Sequence, residues 1–345
     1  EDLSVNTMMT IPSFDELPSV PGHPQTKCSW GLFDKDGQKD LYGTLNFITP
    51  DIVKSAATEI RHGISVSLNW PLGAIKSKGH FRKHLSHNVV KLEDPATGKG
   101  FGFDDEVDFN TQGSSQWDSL CHFQHLPSGL SYNGFKPTVE TLQANTDLPT
   151  LDHWHSRGGL TGRGVLIDFK SYAAAKGIQY SPFSAFRISA ADIEAVAVHQ
   201  GTTFQKGDIL IIRFGVTEAL GQMNGDEQSA AMAPLRCCGI EGTEDMARWL
   251  WNRQFAAVAS DNIAVEAMPP IIDGVERPPT EFVANWVVLH QWCLSLLGMP
   301  LGELWDLKAL ADVCRKVGRY SFLLTSAPLN VPGAVGSPPN ALAIL

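Results

Sequence analysis

Positive charge is scarce in this chain: 27 Lys and Arg stand against 37 Asp and Glu, a formal net charge of -10 over 345 residues. Phosphate backbones are held by clustered Lys and Arg, so this balance excludes nucleic-acid binding as a main function. The nearest thing to a basic patch, Lys76-Ser77-Lys78 with Arg82-Lys83, reads as a solvated loop. Cysteine spacing is equally uninformative. Cys28, Cys121, Cys237, Cys238, Cys293 and Cys314 form no CxxC pair and read as reduced thiols, several of them small core residues. Long apolar runs are missing too. The best stretch, FVANWVVLHQWCLSLLGM, is broken by Asn285, His290 and Gln291 and falls short of the roughly eighteen apolar residues that a membrane span needs. The opening EDLSVNTMMT has neither a basic start nor an apolar run, so no signal peptide is visible, although the absence of an initial Met is compatible with a lost leader. A cytoplasmic setting is expected. GxSxG, HExxH, glycosylation sequons, internal repeats and low-complexity tracts are absent. GGLTGRG precedes a strand instead of joining a strand to a helix, so it reads as a turn and not as a nucleotide loop.

What is present is a core. At 43% hydrophobic and 19% charged residues the chain is globular. Residues 1–45 are rich in turn-formers (LPSVPGHPQ, FDKDGQKD) and read as an arm lying over that core. Thr49-Pro50-Asp51 starts a helix with a cap, a first-turn proline and an acid, and the pattern runs to Gly63. ISVSLNW alternates as a half-buried strand would. Residues 71–111 are polar and turn-rich, with no clear element. GRGVLIDF, KGDILIIRFG, FAAVASDN and YSFLLTSAP read as strands, the last followed by a Pro/Gly loop. SAADIEAVAVHQG is a helix capped by Ser189 with Asp192 at its third position. MARWLWNRQ is a helix, and PTEFVANWVVLHQWCLSLLG a long one closed by Gly298 and Pro300. Strands and helices alternate without a linker, which predicts one α/β domain over residues 46–345.

Chemistry concentrates in QGSSQWDSLCHFQH, residues 112–125. If QGSSQWD is extended, Gln112, Ser114, Gln116 and Asp118 share one face, as in a strand lining a cleft. If the chain turns helical at Asp118, then Cys121, His122 and His125 follow on its side. Either way a carboxylate and an imidazole converge. The plainer alternative is that Asp118 caps a helix and the histidines are satisfied at the surface. His290 lies in an apolar stretch at helical spacing from Trp286 and Val287, where a hydrogen-bonded core histidine is the ordinary reading. Glu303 follows it, and Asp261 and Glu266 in SDNIAVEAMP add more acid than their apolar surroundings need. Trp30, Trp70, Trp117 and Phe81 are candidates for an aromatic pocket wall, with core packing as the alternative. SKGHFRKHLSH, carrying His80, His84 and His87, either overhangs a cleft or forms a surface loop.

The stretch resembles the signature of the cyclase family, the group that contains bacterial kynurenine formamidase and isatin hydrolase, whose motif is HxGTHxDxPxH. On this chain its first two histidines fall at Gln112 and Gln116, its aspartate at Asp118 and its last histidine at His122. The family's later His and Glu ligands fall at His290 and Glu303. LYGTLNFITPDIV, ISVSLNWPL, KGDILIIRFG, ASDNIAVEAMP and FLLTSAPLNVPGAVGSPPNALAIL resemble the fungal branch, so the resemblance runs from about residue 28 to the end. It implies a swivelling β/β/α fold with a mixed sheet and flanking helices, a homodimer, and a small-molecule substrate whose acyl bond is hydrolysed or closed. It further implies a divalent metal, Zn or Mn, at Gln116, Asp118, His290 and Glu303. His122 would be the general acid/base, Asp118 and Glu303 would also serve catalysis, and Trp117, His125 and Gln112 would touch substrate. Glutamine is a weaker ligand than imidazole, so the ion would be weakly held and shifted toward harder metals. The alternatives are a metal-free Asp/His/Glu network suited to cyclisation, dehydration or isomerisation, and a non-catalytic binding protein. The joint retention of Asp118, His122, His290 and Glu303 speaks against the last.

Overall fold

A computed structural model describes residues 10–77, 82–144, 147–278 and 287–345. His80, Phe81 and Trp286 lie outside the described residues. The centre is a curled, mixed sheet of nine strands. In chain order they are β1 (Ser65–Ser67), β4 (Gln116–Asp118), β5 (Leu160–Asp168), β6 (Ile209–Arg213), β7 (Ala257–Ser260), β8 (Leu301–Glu303), β9 (Ser321–Ser326), β10 (Gly336–Ser337) and β11 (Ala341–Ile344). Outside this sheet, β2 (Ser86–Glu93) and β3 (Gly100–Asp108) form a separate antiparallel ribbon, and three further pairs of short strands lie elsewhere. Across the sheet the order is β10-β4-β8-β7-β6-β5-β9-β11-β1. The four strands β8, β7, β6 and β5 pair in parallel, and antiparallel pairs flank them on both sides.

The parallel centre explains the unbroken apolar runs, because such strands are covered on both faces. In β6, Leu210 and Ile212 enter one core cluster, while Ile209 and Ile211 enter the other. Helices α1 (Pro50–Ala57), α2 (Ala190–Gln200), α3 (Glu244–Asn252) and α4 (Lys308–Val317) flank the sheet. The expected α/β class, mixed sheet and flanking helices are all found. Thr49 caps α1 through Ile52 N–H, but the helix stops at Ala57 instead of reaching Gly63. Ser189 and Asp192 form the expected capping box on α2. All six cysteines are free and buried.

Three expectations change. The C-terminal segment is not only a loop, since β10 and β11 lie in it. The long helix is, over its described part, a π-helix at Gln291–Leu297 closed by Gly298 in a left-handed conformation. Residues 71–111 contain the ribbon, which leaves Phe101 and Phe103 72% and 73% exposed. Its alternation has no core to point at, which hid it.

In the N-terminal region Phe14, Leu17, Val20, Cys28 and Phe33 join the larger core cluster. Gly43 shows how tightly that region meets the π-helix end: a Cβ there would lie 1.9 Å from the Gly298 carbonyl oxygen. Thr44 N–H donates to that same oxygen at 2.8 Å. Among the described residues, no helix is long and apolar enough to cross a membrane.

Candidate active site

The register of β4 against β8 builds the centre of the site. Gln116 lies opposite Glu303, and Trp117 opposite Gly302. Side chains alternate across a strand, so Gln116 and Asp118 emerge on Glu303's face while Trp117 points away. His290 enters from the start of the π-helix, and Glu266 from the loop after β7. Ligand atoms of Asp118, His290 and Glu303 all lie within 4.8 Å of one another, and all three residues are buried.

His290 sits between two carboxylates. Its Nδ1 is 2.7 Å and 2.8 Å from the two Glu266 carboxylate oxygens, and its Nε2 is 3.0 Å from Glu303 Oε1. Burial alone would push the imidazole pKa down, but Glu266 foremost and Glu303 after it hold it well above its usual range. Glu303 is pushed up to about 7, chiefly by burial and then by the Asp118 charge, with His290 and Arg82 opposing.

Two carboxamides tie the carboxylates down. Gln116 donates through Nε2 to Glu303 Oε2. Gln112 donates through Nε2 to Asp118 Oδ1, and the same group lies 3.0 Å from His122 Nδ1. His122 Nε2 is 4.0 Å from Asp118 Oδ2, too long for a hydrogen bond. Burial holds the His122 imidazole below its usual range, Asp118 opposes this, and the His290 and Arg82 charges add to it. His122 retains 21% side-chain exposure and stands at the mouth, whereas Asp118 is fully enclosed. Asp118 Oδ2 is buried without a hydrogen-bond partner among the described residues.

The structure therefore brings together Gln112, Gln116, Asp118, His122, His290 and Glu303. Two expected substrate contacts are not assembled there. Trp117 is fully buried on the opposite face, tilted against Trp154 and edge-on to Trp305, with its indole N–H donating to Ser326 Oγ at 3.0 Å. His125 is buried, packs edge-on against His23 at 5.2 Å between centroids, and meets Ser128 Oγ at 2.9 Å. The helix imagined after Asp118 is a series of turns, the first closed by His122 N–H donating to the Ser119 carbonyl. Gln116 is also not oriented as a metal ligand. Its oxygen faces Arg82 at 3.3 Å while its NH2 faces Glu303. Trp70 belongs to the core, and Asp261 accepts from Phe214 and Gly215 N–H away from the site.

Two participants escaped the sequence reading. Glu266 was visible only as surplus acid. Arg82, assigned to a solvated loop, instead donates to the Gln112 carbonyl and the Gln116 side chain. No local pattern announces a contact between residues 34 positions apart.

The donor set fits a divalent ion. Glu266 fixes the Nδ1 side of His290, which directs Nε2 toward Glu303 and Asp118, the carboxylate–histidine arrangement common around metals. The unpartnered Asp118 oxygen is a further acceptor that a cation would satisfy.

The Cyclase family model matches residues 2–267. The chain belongs to the Cyclase family. His290 and Glu303 lie beyond the matched segment. A crystal structure described as a novel cyclase is 29% identical, with a TM-score of 0.75, covering 92% of this chain and 99% of its own. Isatin hydrolase A from Labrenzia aggregata, solved with benzyl benzoate, is 14% identical, with a TM-score of 0.55, covering 85% of this Cyclase-family chain and 97% of its own. An isatin hydrolase bound to the product analogue thioisatinate is 16% identical, with a TM-score of 0.52, covering 86% and 99%. At these identities the isatin hydrolases establish the fold. No curated protein matches the chain.

Proposed function

We propose that this protein is a cytoplasmic enzyme that makes or breaks an acyl C–N or C–O bond in a small metabolite of aromatic or polyketide type, within secondary metabolism. Amide, lactone and lactam substrates are all of this class. The observation that carries the reading is the buried Asp118 Oδ2, left without a hydrogen-bond partner among the described residues beside His290 and Glu303. Asp118, His290 and Glu303 would hold the ion, Zn or Mn, and Glu266 would orient His290. When bound, the ion supplies Lewis acidity toward an acyl oxygen and lowers the pKa of water toward neutrality. His122, kept neutral at the mouth, takes a proton from the attacking group and returns it to the leaving atom. Gln112 holds the His122 ring and Asp118 at once, so it sets the base relative to the carboxylate. The fold shared with isatin hydrolases supports substrates of this kind.

A panel of aryl formamides, lactones and lactams, assayed with chelator and after return of Mn or Zn, tests the proposal. Turnover lost with chelator and restored by metal is expected. Turnover indifferent to chelator would contradict the metal-assisted route. One observation favours a metal-independent proton-transfer enzyme as the second reading: both glutamine NH2 groups already donate to Asp118 and Glu303.

The homodimer is proposed on the ribbon. Val89, Phe103 and Val107 share one exposed face of it, and an uncovered two-stranded ribbon is marginal in water. Light scattering should report twice the chain mass, falling to one chain in a Phe101→Ser, Phe103→Ser variant. A monomeric parent would contradict the dimer.

A further inference from the structure

The family resemblance puts Gln112 and Gln116 where the motif has its first two histidines, and Arg82 lies against both. A carboxamide carries an acceptor and a donor on one carbon, so it can bridge a guanidinium and a carboxylate simultaneously. Gln116 does this: its oxygen accepts from Arg82 Nη1 at 3.3 Å, and its nitrogen donates to Glu303 Oε2. The same Arg82 Nη1 donates to the backbone carbonyl of Gln112, whose side chain holds Asp118 and His122. Arg82 thus touches both glutamines through one guanidinium nitrogen.

We propose that Arg82 is a positioning residue that locks the Gln116 carboxamide with its nitrogen toward Glu303 and thereby lowers the affinity of the Asp118–His290–Glu303 group for divalent cations. Two effects act in the same direction. The lock keeps the one Gln116 atom that could coordinate an ion turned away from the triad. The guanidinium also places a fixed positive charge one carboxamide away from Glu303, where it repels a second cation. With Arg82 in place, the carboxylates are served by hydrogen-bond donors, and the ion is held only as firmly as one imidazole and two carboxylates allow.

This inference rests on the metal reading above, and its sign is unusual. A residue that merely propped the site would weaken metal binding when removed. Removal of Arg82 should strengthen it. Titration of the purified full chain with Mn2+ alone, followed by EPR of the free ion, should show Arg82→Met binding about tenfold tighter than the parent or better, since a unit charge at short range in a partly buried site is removed. Arg82→Lys, which keeps the charge but loses the fork, should fall between the two. In the double variant Arg82→Met, Gln116→Met the share of the gain due to the freed oxygen should vanish. Measurable Mn2+ binding that is equal or weaker in Arg82→Met overturns the proposal.

A second readout separates this proposal from the metal reading. In metal-free protein the Gln116 side-chain NH2 protons, assigned by their loss in Gln116→Met, should exchange slowly in the parent and lose that protection in Arg82→Met. If no variant binds Mn2+ but the protection changes as described, the lock stands and the metal reading fails. Unchanged protection removes the lock itself.

Discussion

Replacing His122 by glutamine lowers turnover about 10²- to 10⁴-fold, the usual contribution of a positioned general acid/base, while the protein stays folded. His122 is the imidazole at the mouth of the site, whereas His290 is enclosed and held between Glu266 and Glu303. Its neighbour Gln112 Nε2, a pure donor, lies 3.0 Å from Nδ1 and 3.2 Å from Nε2 of the ring, an arrangement that favours the uncharged imidazole. Burial and the charges of His290 and Arg82 lower its pKa more than Asp118 raises it, so the ring is the free base at neutral pH. The acidic limb of kcat/KM therefore lies below the ordinary imidazole value of about 6.5, and it disappears in His122→Gln. Stability should barely change, because the side chain is partly exposed and makes no ion pair closer than 4.0 Å. Kinetics across pH beside a thermal melt check both halves. An unchanged rate in a folded variant would remove His122 from the mechanism.

Glu266→Gln is the second large effect, and it strikes metal affinity and stability together. In the parent, the Glu266 carboxylate accepts from His290 Nδ1 and also from the His290 backbone N–H at 3.3 Å. A carboxamide can present its NH2 to Nδ1 instead, which moves the ring proton to Nε2 and withdraws the lone pair that faces Asp118 and Glu303. Loss of such a support typically costs about 10- to 100-fold in metal affinity or activity. When the ring stays doubly protonated, it has lost one of its two buried counter-charges, a change that costs about 3–5 kcal/mol. Glu266→Asp, which keeps the charge, should recover much of the stability. Metal titration and denaturant unfolding of both variants measure these terms. A Glu266→Gln protein with parental affinity and parental stability would show that the pair is incidental.

Much of the architecture was legible because its cause is local. The run ILII in β6 announces a strand covered on both faces, and Ser189 with Asp192 announces the start of α2. The ribbon was not legible: its apolar residues face no core, so their alternation carried no burial signal. Within the site, spacing placed Gln116 and Asp118 on one face, and the same alternation should have put Trp117 on the other. His290 and Glu303 stood out as polar groups in apolar surroundings and the family resemblance made them candidate ligands; they lie 13 residues apart with a π-helix between them instead of a regular one. Arg82 and the orientation of Gln116 depend on tertiary contacts that no pattern encodes. They are also what distinguishes this site from a plain histidine-rich metal centre.

The most direct test of the central claim is the metal content of protein purified without chelator and then exposed to Mn2+ or Zn2+, beside Asp118→Asn treated identically. A three-residue carboxylate–imidazole site predicts about one ion per parent chain and a large loss when the Asp118 charge is removed. A parent that stays empty at millimolar metal, or an Asp118→Asn variant that loads equally well, would contradict it and leave the Asp118, His122, His290 and Glu303 proton-transfer network as the working chemistry.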